Sequence, residues 1–146
     1  MSSKADTWEN GMLDLLFLNT AFTLVGDASG LLASGAAGSL YLSLHTSSPG
    51  ETGDQTTNEI AYTSYARAAV ARTSGGFTRT ANSVALTATI SFPAGTGGSG
   101  TATHFGLGTS SSGAGKLLYH GAISPTIVCG SGITPQLTTG TAITES

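Results

Sequence analysis

Residues 39–73 constrain the fold more than any other stretch, because two alternating apolar runs flank a turn-rich insert. Every second residue is apolar in both runs, which contain Leu40, Leu42 and Leu44, then Ala66, Ala68 and Val70. Successive side chains point to opposite faces of a β-strand, so this pattern predicts two half-buried strands. The insert is rich in Ser, Gly, Pro, Asp and Asn, which favour turns. We therefore predict a β protein.

The composition supports this fold class. Only 9% of the 146 residues are charged, whereas the chain contains 23 Thr, 19 Ser and 21 Gly. Thr favours strands through its branched β-carbon, and Gly and Ser favour turns. We predict one all-β domain over 1–146, an antiparallel β-sandwich or jelly roll with one N-terminal helix. Its parts would be a helix at about 6–19, a loop at 20–38 and a β body at 39–144.

The stretch 6–19, DTWENGMLDLLFLN, is the one convincing helix in the sequence. Its start resembles a capping box, in which Asp6 and Glu9 would satisfy free backbone N–H groups. The apolar face is wide and must be buried, either on the sheet or on a neighbouring subunit. Strands are predicted at 39–46, 59–63, 66–73, 77–80, 83–92, 101–109, 115–123, 126–129 and 133–144. The glycine-rich segment 95–100 is expected to form a mobile hairpin tip.

The charge, the hydrophobic pattern and the single cysteine limit which partners and environments we expect. A net charge of −3 with five basic residues provides no basic stripe, so we expect no nucleic-acid partner. We also expect no membrane span and no cleavable leader. The single Cys129 is expected to be a small buried residue. The low number of charged residues suggests that part of the surface is buried in contacts with other subunits. The alternative is a monomer kept soluble by hydroxyl groups.

Nucleotide and metal chemistry are not expected. The segment 108–116, GTSSSGAGK, resembles a phosphate-binding loop, but Ser110 stands where the first glycine is required. Lys116 is followed by Leu117 rather than by Ser or Thr, so a hairpin turn is predicted instead. Three isolated histidines, His45, His104 and His120, lack the spacing of metal ligands and are expected to be packed or hydrogen-bonded within strands near a subunit contact. We therefore predict no cofactor and no metal.

Catalysis is not expected either. The chain has no G-x-S-x-G elbow, and its aspartates all lie in the predicted helix or in loops: Asp6, Asp14, Asp27 and Asp54. Glu51, Asp54 and Glu59 cluster near one polar loop, which is expected to be a solvated tip, with a weak calcium site as the alternative. We predict that the protein is not an enzyme.

Three arginines are the best candidates for specific polar contacts. Arg67 and Arg79 are expected to pair with Glu59 or Glu51 across adjacent strands. The alternative is docking on an acidic partner surface, where a guanidinium group binds carboxylates in bidentate fashion. Internal pairing is the preferred interpretation for Arg67, Arg72 and Arg79 alike.

Several segments together resemble small virion proteins of tailed phages. These segments are LYLSLHTSSPGE (40–51), NEI (58–60), SYARAAV (64–70), FPA (92–94), THFGL (103–107), GKLLYHGAI (115–123) and TIVCGSGITPQLTTGTAIT (126–144). The resemblance covers roughly residues 8–144. Such proteins are commonly labelled tail fibre or minor tail proteins, and related small jelly-roll proteins are capsid cement, or decoration, subunits.

The resemblance implies a non-enzymatic structural role in a bacteriophage virion. Our first hypothesis is a decoration subunit on the outer capsid surface, with the major capsid protein and copies of itself, as a dimer or trimer, as partners. The alternative is a minor tail or tail-fibre protein that contacts a host receptor through loops 47–58 and 95–100. The residues expected at partner or subunit interfaces are Trp8, Leu16, Phe17, Glu51, Arg67 and Arg72.

Overall fold

The computed structural model describes residues 2–146. These residues form one helix and nine strands. Strands account for 39% and helix for 9%, which confirms the all-β class with an N-terminal helix and antiparallel sheets. The elements in chain order are α1 (Asp6–Leu18), β1 (Ser39–His45), β2 (Ala68–Ala71), β3 (Phe77–Thr80), β4 (Ser83–Leu86), β5 (Ile90–Ser91), β6 (Ser99–Gly108), β7 (Leu117–Gly130), β8 (Gln136–Leu137) and β9 (Ala142–Thr144).

The chain divides into two compact units. Unit 1 contains the residues up to Ser39 together with Ala71–Ala88 and Thr138–Ser146, and unit 2 contains Leu40–Val70 and Thr89–Leu137. Each unit is therefore assembled from separate stretches of chain. The prediction of a single domain over 1–146 stays a prediction.

Unit 1 is built around helix α1, whose predicted capping box is wrong. Ala5 occupies the N-cap position and offers no side-chain acceptor, and Asp6 is already the first helical residue. The buried residues Glu9, Leu13 and Phe17 are four positions apart and lie on one face of the helix. Full burial of an aromatic side chain such as that of Phe17 contributes about 2 kcal/mol.

Three antiparallel strands complete unit 1, in the order β3-β4-β9. Phe77 pairs with Leu86 across β3 and β4, and Val84 pairs with Ile143 across β4 and β9. The ring of Phe77 meets the helical Phe17 edge to face at 4.9 Å between centroids. The apolar face of the helix is therefore buried within the chain.

Unit 2 contains a four-stranded sheet in the order β2-β1-β6-β7. In the antiparallel β1–β6 pair, Leu42 lies opposite Leu107 and Leu44 opposite Phe105. All four side chains are at most 6% exposed, so this face belongs to the core. The opposite face of β1 carries Tyr41, Ser43 and His45, as the alternation predicts.

Several predicted strands differ from the observed ones. Segment 59–63 forms only isolated bridges at Glu59 and Thr63, and Asn58 and Ser64 on either side of it have left-handed backbone conformations that no extended strand contains. Predicted strands 83–92 and 133–144 each divide into two short strands. Predicted strands 115–123 and 126–129 are one strand, β7, with a bulge opposite the step from Ala102 to His104.

The segment 95–100 is not the free hairpin tip that we expected. Gly95 is buried and bridges Ser131, and Gly97 bridges Thr63. A side chain at position 95 would collide with the backbone of Gly130, so the glycine permits a close approach of two chain segments.

Candidate functional site

A cluster of buried polar side chains lies in unit 2 around His45, the last residue of β1. The carbonyl oxygen of Thr57 lies 2.8 Å from His45 Nδ1 and can only accept, so Nδ1 carries the proton and donates. His45 Nε2 then accepts from the hydroxyl of Ser43, also at 2.8 Å. Ser43 and His45 are both 0% exposed. The cluster therefore connects the loop 46–58 to strand β1 by hydrogen bonds.

Gly106 makes space for this pair on the neighbouring strand β6. It lies directly opposite Ser43, and a β-carbon at position 106 would stand 2.6 Å from His45 Nε2 and 2.7 Å from Ser43 Oγ. Nucleophilic enzymes use a hydroxyl beside an imidazole, but they need access to substrate. Here both side chains are fully buried, and their hydrogen bonds hold the loop 46–58 in place.

Burial lowers the pKa of His45 below its ordinary value of 6.5. The hydrogen bond to Thr57 and the negative charge of Glu59 oppose this shift, whereas Arg67 and His104 act with it. The neutral imidazole is therefore the form that the folded chain prefers.

Next to this histidine, Arg67 and Glu59 form a bidentate ion pair. Arg67 Nε donates to Glu59 Oε1 and Nη2 donates to Oε2, each at 2.7 Å, and the arginine side chain is 2% exposed. The hydroxyl of Tyr65 donates to Glu59 Oε1 at 2.8 Å and accepts from the N–H of Leu44 at 3.1 Å. Burial raises the pKa of Tyr65. The predicted pairing of Arg67 with Glu59 is confirmed.

Arg67 and Gln55 form hydrogen bonds to the backbone of the loop between β6 and β7. Arg67 donates to the carbonyl oxygens of Ser110 at 3.0 Å and Gly113 at 2.8 Å. Gln55 Oε1 accepts from the N–H of Ser110 at 2.9 Å, and the backbone N–H of Gln55 donates to Ala114 at 2.9 Å. These contacts confirm a hairpin loop at 109–116 and give it a fixed shape.

Gln55 is completely buried, and its amide group fits because glycines stand at the end of β6 and in the following loop. A β-carbon at Gly108 or Gly115 would overlap the Gln55 side chain. Gln55 Nε2 has no acceptor among residues 2–146. Glycine at position 108 therefore leaves the space that the Gln55 side chain occupies.

In unit 1, Arg72 binds the C-terminal end of helix α1. Its Nε and Nη2 donate to the carbonyl oxygens of Leu16 at 2.5 Å and Leu15 at 2.6 Å. Its Nη1 donates to the carbonyl oxygen of Ala37 at 3.1 Å. Carbonyl groups at a helix C-terminus lack helical partners and carry partial negative charge, so a guanidinium group stabilises them.

The remaining ion pairs also join distant stretches of unit 1. Arg79 pairs with Asp14 of the helix, rather than with Glu59 or Glu51 as predicted, and donates to the carbonyl oxygen of Ala81 at 3.0 Å. Lys4 pairs with Glu145. Four of the five basic side chains are therefore engaged within the chain.

The six residues predicted for an interface are Trp8, Leu16, Phe17, Glu51, Arg67 and Arg72. Their interface role stays a prediction, and the structure shows where each side chain lies. Trp8 is 44% exposed and Glu51 is exposed, so both are accessible. Leu16 is half-buried, whereas Phe17 is 0% exposed. The two arginines make the internal contacts described above.

The three histidines lie on one face of the four-stranded sheet. His45 is opposite His104, and His120 is opposite Gly106. In the part of the chain that the structure describes, no three His, Cys, Asp or Glu side chains are grouped to hold a metal ion. Cys129 is buried, as predicted, and burial raises the pKa of its thiol.

Sequence reasoning missed two exposed leucines in the segment 20–38. Leu24 is 79% exposed and Leu32 is 71% exposed. A leucine in a low-complexity loop carries no periodic signal, so its exposure is visible only in the structure.

The polar clusters hold two loops and the end of helix α1 of the chain itself. Residues 3–143 match the family described as podophage GP4 fiber I protein gp80. The chain belongs to this family, and it is a bacteriophage virion structural protein. No curated protein matches the sequence. Among residues 2–146, no helix has the length and apolar character needed to cross a membrane.

Proposed function

We propose that the protein is a non-enzymatic subunit of a virion fibre at the tail, where it takes part in host attachment. The observation that carries this proposal is the match of residues 3–143 to a family of podophage fibre proteins. The fibre assignment is the alternative that the sequence raised, and the family description favours it over a capsid location.

The loops 46–58 and 109–116, which meet where Gln55 forms hydrogen bonds with Ser110 and Ala114, are suited to binding a receptor. The loop 46–58 is fixed through His45 and the loop 109–116 through Arg67 and Gln55. Their outward side chains are exposed and mostly carry hydroxyl groups: Ser47, Ser48, Glu51, Thr52, Thr56, Ser111 and Ser112. A preformed loop loses little conformational entropy on binding, which favours affinity.

Virions that lack the protein test this proposal. A fibre subunit for attachment predicts that such particles adsorb poorly to host cells while their heads keep normal resistance to heat. Restoration of adsorption by the purified full chain would support a direct role. Particles that adsorb normally would refute it.

A capsid decoration subunit is the second candidate function. The observation in its favour is that residues 2–146 form small sheets of four, three and two strands, without the repeat that builds a fibre shaft. Its partners would be the major capsid protein and copies of itself, and it would stabilise the shell by binding only the assembled form. In this case the same particles would adsorb normally and their heads would lose heat resistance.

A further inference from the structure

His45 is the first member of a series of contacts that connects both loops of the proposed receptor surface. Its Nδ1 donates to the carbonyl oxygen of Thr57 at 2.8 Å. Thr57 is the last residue of the turn 54–57, which two hydrogen bonds of 3.2 and 3.1 Å close between its first and last residues. The same turn contains Gln55, which is bonded to the loop 109–116. The imidazole therefore holds the turn, and the turn joins the two loops.

The surroundings of His45 fit a neutral imidazole and not a charged one. Nε2 accepts the hydroxyl hydrogen of Ser43 at 2.8 Å, so a second ring proton would face that hydrogen. Both side chains are 0% exposed. The backbone of Gly106 lies so close that a β-carbon there would stand 2.6 Å from Nε2. A charged ring in this place would be buried away from water, which costs free energy.

The charged groups around His45 do not balance a positive ring. Glu59 bridges His45, but both of its carboxylate oxygens accept from Arg67, and one also accepts from the hydroxyl of Tyr65. Its negative charge is therefore already balanced by the guanidinium group. Arg67 and His104, which lies opposite His45 on β6, both disfavour the charged ring. Protonation would thus leave a positive charge that the folded site does not compensate.

Two further titratable groups lie near the turn 54–57 or on the same face of the sheet. Hydrogen bonds from the side chain and backbone of Thr56 lower the pKa of Asp54, so this carboxylate stays ionised in mild acid and does not loosen the turn. His120 lies on β7 opposite Gly106, so β6 separates it from β1. His45 is therefore the group through which mild acid acts on the turn.

We propose that protonation of His45 opens the turn 54–57 and loosens both loops of the receptor surface, while strands β1 and β6 stay paired. A charged imidazole reaches water by leaving its place beside Thr57, and the turn then loses that hydrogen bond. The two strands pack through the leucine face of β1, which is opposite to the face that carries the imidazole. The inference rests on the proposed function only in the use that we assign to the loops, whose receptor contact mild acid would then weaken.

Hydrogen exchange of the backbone amides, followed by NMR on the purified full chain at pH 7 and pH 5, tests this switch. The amides to compare are those of Gln55, Thr57 and Ser110, which form the bonds of the turn and the loops. The pKa of an imidazole released to water is the ordinary 6.5, so opening becomes up to about thirtyfold more favourable at pH 5. The protection factors of these amides should fall severalfold, up to that limit, and those of β1 and β6 should not change.

Two variants assign the response to one imidazole. His45→Gln removes the titrating group and keeps an amide that can donate to the Thr57 carbonyl, so protection of the turn should no longer depend on pH. His104→Gln is the matched control, because His104 is a half-buried histidine of the same face that bonds to Thr103 outside the turn. This variant should keep the response of the wild type. If His45→Gln does not fold, the ring signals of His45 in the wild type should titrate at the pH at which the turn loses protection.

Four results would overturn the switch. These are unchanged protection of the turn at pH 5, the same loss of protection in His45→Gln, a His45 ring that titrates without any loss, and a joint loss in β1 and β6. The last result would show that unit 2 unfolds as a whole. The exchange measurement needs no receptor, so a failed adsorption test would leave the switch standing and remove only the use assigned to the loops.

Discussion

Arg67 and Glu59 are joined by two parallel hydrogen bonds of 2.7 Å, with the arginine side chain 2% exposed. The same guanidinium group holds two carbonyl oxygens of the β6–β7 loop. The buried pair of Arg67 and Glu59 thus holds the loop 109–116, which we propose for receptor contact. Its removal should affect both the stability and the shape of unit 2.

Glu59→Gln is expected to destabilise the fold by about 3 kcal/mol, because it leaves the buried Arg67 charge without its partner. Urea denaturation followed by circular dichroism measures this loss. Glu51→Gln changes the same chemical group at an exposed position and should cost less than about 0.5 kcal/mol. Equal stability of the two variants would show that the buried pair contributes nothing.

Gly106→Ala is expected to destabilise unit 2 by about 2 kcal/mol or more, because the new methyl group would stand 2.6 Å from His45 Nε2. Differential scanning calorimetry should show the lower melting temperature. Gly35→Ala is the control, since a β-carbon there meets no atom within 4 Å. An unchanged melting temperature for Gly106→Ala would contradict the tight packing around Ser43 and His45.

The stability of the fold should fall as the pH drops below 6.5, the ordinary pKa of histidine. Burial lowers the pKa of His45 in the folded chain, so below 6.5 the unfolded chain binds a proton that the folded chain does not. This stabilising contribution is complete above the unfolded pKa and is lost as the pH falls towards the lowered folded value. His45→Gln should therefore show a smaller loss of stability between pH 7 and 5 than the wild type. An identical pH profile would contradict the assignment.

Arg72→Ala is expected to weaken the C-terminal end of helix α1, because the last carbonyl groups lose their donors. Hydrogen exchange should become faster in the final turn of the helix and near Ala37. Lys116→Ala removes an exposed basic side chain in unit 2 and serves as the control. Unchanged protection of the helix would show that Arg72 is dispensable as a cap.

Local pattern in the sequence was sufficient for the fold class but not for the contacts. Alternation placed β1 and separated the Leu42 face from the His45 face, since side-chain direction in a strand depends only on position. It missed that left-handed residues, Asn58 and Ser64, flank the segment 59–63 on both sides, because a left-handed residue other than glycine has a weak sequence signal.

The candidate site was predicted only in part. The pairing of Arg67 with Glu59 was predicted from opposite charge across adjacent strands, and the ion pair forms although neither residue lies in one of the strands β1–β9. Two other contacts depend on tertiary packing between distant stretches of the chain: Gln55 against Gly108, and Arg79 with Asp14 of the helix. No pattern in the local sequence predicts either contact, and none predicts the exposure of Leu24.

Electron microscopy of purified virions carrying a gold-labelled copy of this chain tests the central claim most directly. The account predicts label at the tail fibres, with the shell unlabelled. Label distributed over the shell would contradict the fibre assignment and would favour the decoration role.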